Sequence, residues 1–162
     1  MSAAPSFEVV PISQIAFRGS NLVAGSRPSV DRNGPVVLIV DDERIIADTL
    51  SMILSRSGFA VLTAYDGQSA LELARIVPPE LLLTDVMMLP GMNGVELAMA
   101  ISETVPDCKI LLFSGQAATV DLLAHARDTG HNFTLLTKPV HPTALLAHVA
   151  ASLEVRESSA AL

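Results

Sequence analysis

The chain has 162 residues, half of them apolar and only 4% aromatic, with a formal charge of −7 at pH 7. That is one domain's length with enough aliphatic material to cover both faces of a parallel sheet. The acidity, with no cluster of Lys or Arg anywhere, argues against nucleic acid and anionic membrane as partners, since both are bound through concentrated positive charge.

Residues 1–34 carry Pro5, Pro11, Pro28, Gly19, Gly25 and Gly34 among many serines, and read as an extension and linker that is mostly flexible. Within them the stretch from Phe7 to Phe17 is apolar enough to dock on a surface. From Pro35 a regular alternation begins. Residues 36–40 form a short β-branched run of the buried-strand type, followed by a helical pattern through Ile45, Ile46, Leu50, Ile53 and Leu54. Gly58 stands where a left-handed cap ends that helix. Residues 59–64 make a second strand, and Asp66 caps a helix carrying Ala70, Leu71, Leu73, Ala74 and Val77, which Pro78 and Pro79 stop.

The third strand is 81–84, followed by a loop with Pro90, Gly91 and Gly94 and a helix over about 95–104. Residues 109–113 make the fourth strand, 116–129 a helix closed by Gly130, and 133–137 the fifth strand. Pro142 opens the last helix, which is expected to end near Glu154, leaving 155–162 as a tail. Five strand–helix units in a row over 35–154 imply one α/β domain: a five-stranded parallel sheet with right-handed crossovers and helices on both faces. Cys108, the single cysteine, begins an apolar run and reads as a buried strand thiol. No apolar stretch approaches the ~18 residues of a membrane span, and no secretory signal opens the chain, so a cytoplasmic location is expected.

Ligands of such sheets bind beyond the carboxyl ends of the strands. Strand one ends in Asp41-Asp42, strand three in Asp85, strand four in Ser114-Gly115 and strand five in Lys138-Pro139; strand two ends uncharged, in Ala64-Tyr65. Two carboxylates at about 5 Å repel by roughly 3 kcal/mol at an effective dielectric near 20, and a third multiplies the cost or forces protonation. A hard divalent cation relieves this. Mg2+ uses one or two carboxylates and also ligates phosphate oxygens, Lys138 supplies a compact second charge, and Ser114 a small hydroxyl. The set describes an anionic nucleophile, Asp85, beside a cation and waiting donors: a phosphoryl-transfer site.

Val-Asp-Asp-Glu after an apolar strand, Asp85 after Leu-Leu-Leu-Thr, Phe-Ser-Gly and Thr-Lys-Pro, in this order and each at a strand end, resemble bacterial response-regulator receiver domains. The resemblance covers about residues 35–154. It implies the flavodoxin-like, doubly wound strand order 2-1-3-4-5. It implies a phosphoacceptor Asp85 charged from a phosphohistidine on a sensor histidine kinase or phosphotransfer protein. Asp42 would ligate Mg2+ directly, Asp41 mainly through water on the ion, and the Met87 backbone carbonyl would complete the protein ligands. Ser114 and Lys138 would contact the phosphoryl group, and Gln116 lies where the family often places a group affecting water attack. Pairing of two copies through the fourth helix, fifth strand and fifth helix is also implied, with output by protein contact, no attached output module, and no enzymatic turnover beyond slow self-dephosphorylation.

Three positions depart from the family pattern. Pro90 and Gly94 each lie one residue later after the acceptor than usual, which could draw the Met87 carbonyl off the metal. Leu135 occupies the place of the usual switch aromatic, with Phe133 two residues before it as a core side chain or a shifted substitute. The stretch from Gly130 to Lys138 is also one residue longer. These departures keep open a degenerate receiver that binds partners without phosphate. A small hydrolase with an aspartyl nucleophile is disfavoured, because Met87 stands where its second acid would be. His125, His131, His141 and His148 show no metal spacing and read as surface or loop residues, and the methionines, Met52, Met88, Met92 and Met99 among them, read mostly as core filler.

Overall fold

In a computed structural model, residues 34–88, 90–115 and 119–160 are described, with side chains through residue 154. The arm expected over residues 1–34, including the apolar stretch from Phe7, lies outside the described residues but for Gly34, as does Gln116. Five strands and five helices alternate: β1 Val36–Val40, α1 Arg44–Arg56, β2 Ala60–Ala64, α2 Gly67–Ile76, β3 Leu81–Asp85, α3 Gly94–Thr104, β4 Lys109–Ser114, α4 Thr119–Asp128, β5 Thr134–Thr137 and α5 Pro142–Ala160. All strand pairs are parallel and the order is β2-β1-β3-β4-β5, as expected.

The apolar runs behave as runs buried on both sides should. Every residue of β1 and β3 is buried. Alternation sends Val37, Ile39, Leu81, Leu83, Leu111 and Phe113 to one face, where they pack with Ala47 and Leu54 of α1 and Leu145, Val149 and Leu153 of α5. The helices α2, α3 and α4 turn Ala70, Leu73, Leu97, Ala98, Ile101, Leu123 and Ala126 inward to cover the rest. Cys108 is buried just before β4. Met88 is buried as core filler, whereas Met52 is 52% exposed on α1, contrary to expectation.

Local signals held where a backbone requirement stood behind them. Gly58 has φ +95 at the end of α1, and the Asp66 carboxylate accepts the Ser69 N–H at 2.7 Å to cap α2. The last helix runs six residues beyond Glu154, to Ala160, because no Gly or Pro interrupts residues 143–160. Among the described residues no helix is long and apolar enough to cross a membrane.

The loop after Asp85 returns to the strand end at Gly94. Gly94 donates its N–H to the Val86 carbonyl at 2.8 Å, and a Cβ on Gly94 would lie 1.9 Å from the Asp85 carbonyl oxygen. The start of α3 is therefore pressed onto the end of β3, and Gly91, in the loop between them, takes φ +99. Gly94→Ala must push α3 off Asp85 and is expected to cost roughly 2–3 kcal/mol. A urea titration reads this as a lower midpoint with unchanged slope.

Candidate functional site

Register alone brings the first two acids together. Val40 pairs with Thr84, so the next residues, Asp41 and Asp85, leave neighbouring strands side by side. Asp42 follows, and one carboxylate oxygen from each of Asp41, Asp42 and Asp85 lies within 4.8 Å of the others. Asp41 and Asp85 are buried while Asp42 is exposed, so the cluster opens to solvent on one side. There it borders a cleft of about 280 Å3 walled by Asp42, Arg44, Tyr65, Met88 and Pro90. That is smaller than most small-molecule pockets. The Arg44 guanidinium lies 4.0 Å over the Tyr65 ring, and the Tyr65 hydroxyl donates to Asp48 at 2.6 Å, which stiffens this wall.

Lys138 reaches in from the end of β5. Its Nζ stands 3.2 Å from Asp85 Oδ1 and 3.4 Å from Asp41 Oδ2. The Lys138 side chain is 23% exposed and that of Asp41 is 0% exposed, so this is a largely desolvated triad rather than a surface ion pair. The Phe113 ring, 4.6 Å from Nζ, forms a floor beneath the ammonium. The other Asp41 oxygen, Oδ1, accepts the Glu43 N–H at 2.9 Å and pins the turn into α1.

One lysine does not offset three acids. Burial, above all, pushes the Asp41 carboxyl up to about 6; the Glu43 N–H and Lys138 oppose this, and Asp85 adds to it. Burial likewise raises Asp85 against the pull of Lys138, with Asp42 adding to the rise. For Lys138 burial acts downward, but the charges of Asp85 and Asp41 together outweigh it and hold the ammonium above its ordinary value. A site that keeps its lysine charged while driving Asp41 and Asp85 toward protonation lacks positive charge. The donor set, three hard oxygen ligands from adjacent turns, fits a divalent cation of the Mg2+ or Ca2+ kind.

Met87 and Ser114 lie at the same edge. Met87 is half-buried in the loop two residues after Asp85. Val86 before it is fixed from both sides, its N–H donating to the Phe113 carbonyl at 3.1 Å and its carbonyl accepting from Gly94. Ser114 ends β4 one position beyond Phe113, the partner of Asp85 in the register. Its carbonyl accepts the Lys138 N–H at 3.0 Å, and its hydroxyl pairs with that of Thr119 at 2.6 Å. Leu135 is 36% exposed on β5, whereas Phe133 is half-buried with its ring 5.6 Å from that of His131, near the amino end of the strand and away from the carboxylates. Thr119 was not singled out in the sequence, and Phe113 only as part of the Phe-Ser-Gly run. A hydroxyl five residues after Ser114 was the available signal for the first.

Known proteins resemble this chain. The family model of the response regulator receiver domain matches residues 37–150. The probable transcriptional regulatory protein TcrX of Mycobacterium tuberculosis is 36% identical over 103 residues, 64% of this chain and 43% of the relative. The DNA-binding response regulator MtrA of Mycolicibacterium smegmatis is 32% identical over 127 residues, 77% of this chain and 53% of the relative. The chain thus spans about half the length of the curated relatives it matches. The crystal structure of a CheY-like response regulator receiver domain protein from Methanospirillum hungatei superposes with a TM-score of 0.71 at 27% identity, covering 77% of this chain and 98% of that one.

Proposed function

This chain belongs to the response regulator receiver domain family, and from that premise we propose that it takes a phosphoryl group onto Asp85 from a phosphohistidine. The observation that carries the reading is the meeting of Asp41, Asp42 and Asp85 within 4.8 Å under one lysine. Asp85 attacks phosphorus as the carboxylate. The P–O bond forms as the P–N bond breaks, and the leaving imidazole keeps the electron pair and takes up a proton. Mg2+ would be held by Asp42, Asp85 and the Met87 carbonyl, with Asp41 behind them, and when bound it supplies charge to the transferring oxygens. Lys138 and Ser114 then meet the phosphoryl oxygens, Lys138 as a charge already aimed at Asp85 and Ser114 as a hydrogen-bond donor.

The histidine would come from a sensor kinase or a phosphotransfer protein; the small, open cleft beside Asp42 suits a side chain offered by another protein. Output by protein contact, with self-association through α4, β5 and α5 as one form, is supported by the apolar Val120 and Leu135 exposed on α4 and β5. The phosphate-independent alternative draws on Leu135 and the lengthened loop, but the loop leaves Val86 anchored and the acids assembled. Incubation with acetyl phosphate and Mg2+ followed by intact-mass measurement tests the proposal. One phosphoryl group is expected on the unsubstituted chain and none on Asp85→Asn. Equal mass gain by both proteins defeats it.

A further inference from the structure

The Ser114 and Thr119 hydroxyls lie 2.6 Å apart, 4% and 2% exposed. Ser114 is the last residue of β4, beside Asp85, and Thr119 is the first of α4. This bond joins the strand end at the acidic cluster to the next helix. Resting on the phosphoacceptor reading above, we infer that Thr119 is a positioning residue that orients the Ser114 hydroxyl and passes the phosphorylation state of Asp85 to α4.

Proton counting supplies the reason. A hydroxyl has one proton, and either oxygen of this pair can be the donor. Phosphoryl oxygens only accept, so Ser114 can serve them only when it does not donate to Thr119. Phosphorylation therefore removes one of the two directions of the bond, and Thr119 must either donate to Ser114 or lose it. Buried as it is, Thr119 cannot turn to water instead. The helix it opens is lightly anchored, with only Thr119, Leu123 and Ala126 buried among its described side chains. A change at one of three anchors alters the local stability of the first turn. Its neighbour Val120, in the same turn, is 67% exposed. Among the described side chains, the hydroxyl pair joins the strand end at the site to this surface helix.

The test is amide hydrogen exchange over residues 122–126, whose N–H groups bond back into the first turn of α4, with and without acetyl phosphate and Mg2+, with Asp85 occupancy read by intact mass in the same samples. In the unsubstituted chain exchange in this turn is expected to change by about fivefold on phosphorylation, the scale of one net hydrogen bond. Compared at equal Asp85 occupancy, Thr119→Val, near in shape, should lose the response, and Thr119→Ser should restore it. Thr119→Ala serves the same comparison if valine is not accommodated. A hydroxyl-free variant responding like the unsubstituted chain, or a serine variant as silent as the valine one, overturns the inference. An unsubstituted chain that gains no phosphoryl mass overturns the phosphoacceptor reading beneath it, so the two failures are distinct.

Discussion

Without a divalent cation, Asp41→Asn is expected to make the protein more stable at about pH 7.5, by roughly 2 kcal/mol. Asp41 is wholly buried, and its ion pair with Lys138, at 3.4 Å, does not repay the desolvation of the charge. Its folded pKa, about 6, lies above the ordinary value of 3.8. A group with a raised folded pKa contributes its stability in full below the unfolded pKa and loses it as pH rises through the folded one. The unsubstituted chain should therefore gain stability on acidification from pH 7 toward 4, by up to about 3 kcal/mol from Asp41, with Asp85 acting in the same direction. Asn has nothing to titrate, so the advantage of the variant should shrink to nothing toward the acid end of that window. It keeps an oxygen for the Glu43 N–H, so the turn into α1 stays closed. Millimolar Mg2+ should raise the melting temperature of the unsubstituted chain well above that of its metal-free form and that of the variant by less. Urea titrations across pH, with and without the ion, measure all of this, and an Asn variant less stable at every pH refutes the account of crowding.

The second large effect has the opposite sign. Lys138→Met keeps the aliphatic stem over Phe113 but removes the only cation facing Asp41 and Asp85 among the described side chains. Two buried carboxylates are then left without a counter-charge, and a loss of about 3 kcal/mol is expected near neutral pH. Because the cost is electrostatic it should be reversible by chemistry that leaves packing alone. Acidification protonates the acids, and Mg2+ replaces the lost charge; each should return most of the stability. Thermal melts at two pH values with and without the ion decide the matter. A loss indifferent to both would mean that the lysine matters here for its packing.

Much of this was legible in the residues. Period, caps and breakers located every element, because each rested on a local requirement: a left-handed turn at Gly58, a carboxylate cap at Asp66, a proline start at Pro142. The acids and the lysine were legible because a parallel sheet brings strand ends to one edge, so Asp41, Asp85 and Lys138 meet whatever lies between them in the chain. What could not be read depends on side-chain direction. Sequence does not say that Asp41 is sealed while Asp42 faces water, nor that Phe113 underlies Lys138, nor that Ser114 is paired with Thr119. The extra loop residue was visible as a count, but its harmlessness to Val86 depends on the contact of Gly94 with Asp85, a tertiary fact. The extension of α5 past Glu154 shows the reverse limit: residues 155–160 carry no stop signal, and the helix simply continues.

Locating the phosphoryl group tests the central claim most directly. An acyl phosphate is reduced by borohydride to an alcohol, so a phosphorylated aspartate is left as homoserine at its own position. After acetyl phosphate and Mg2+, reduction and peptide sequencing by mass spectrometry should place homoserine at position 85 and leave Asp41 and Asp42 unchanged. Homoserine at either of those two positions, or at none of the three in a chain that has gained phosphoryl mass, would contradict the site described.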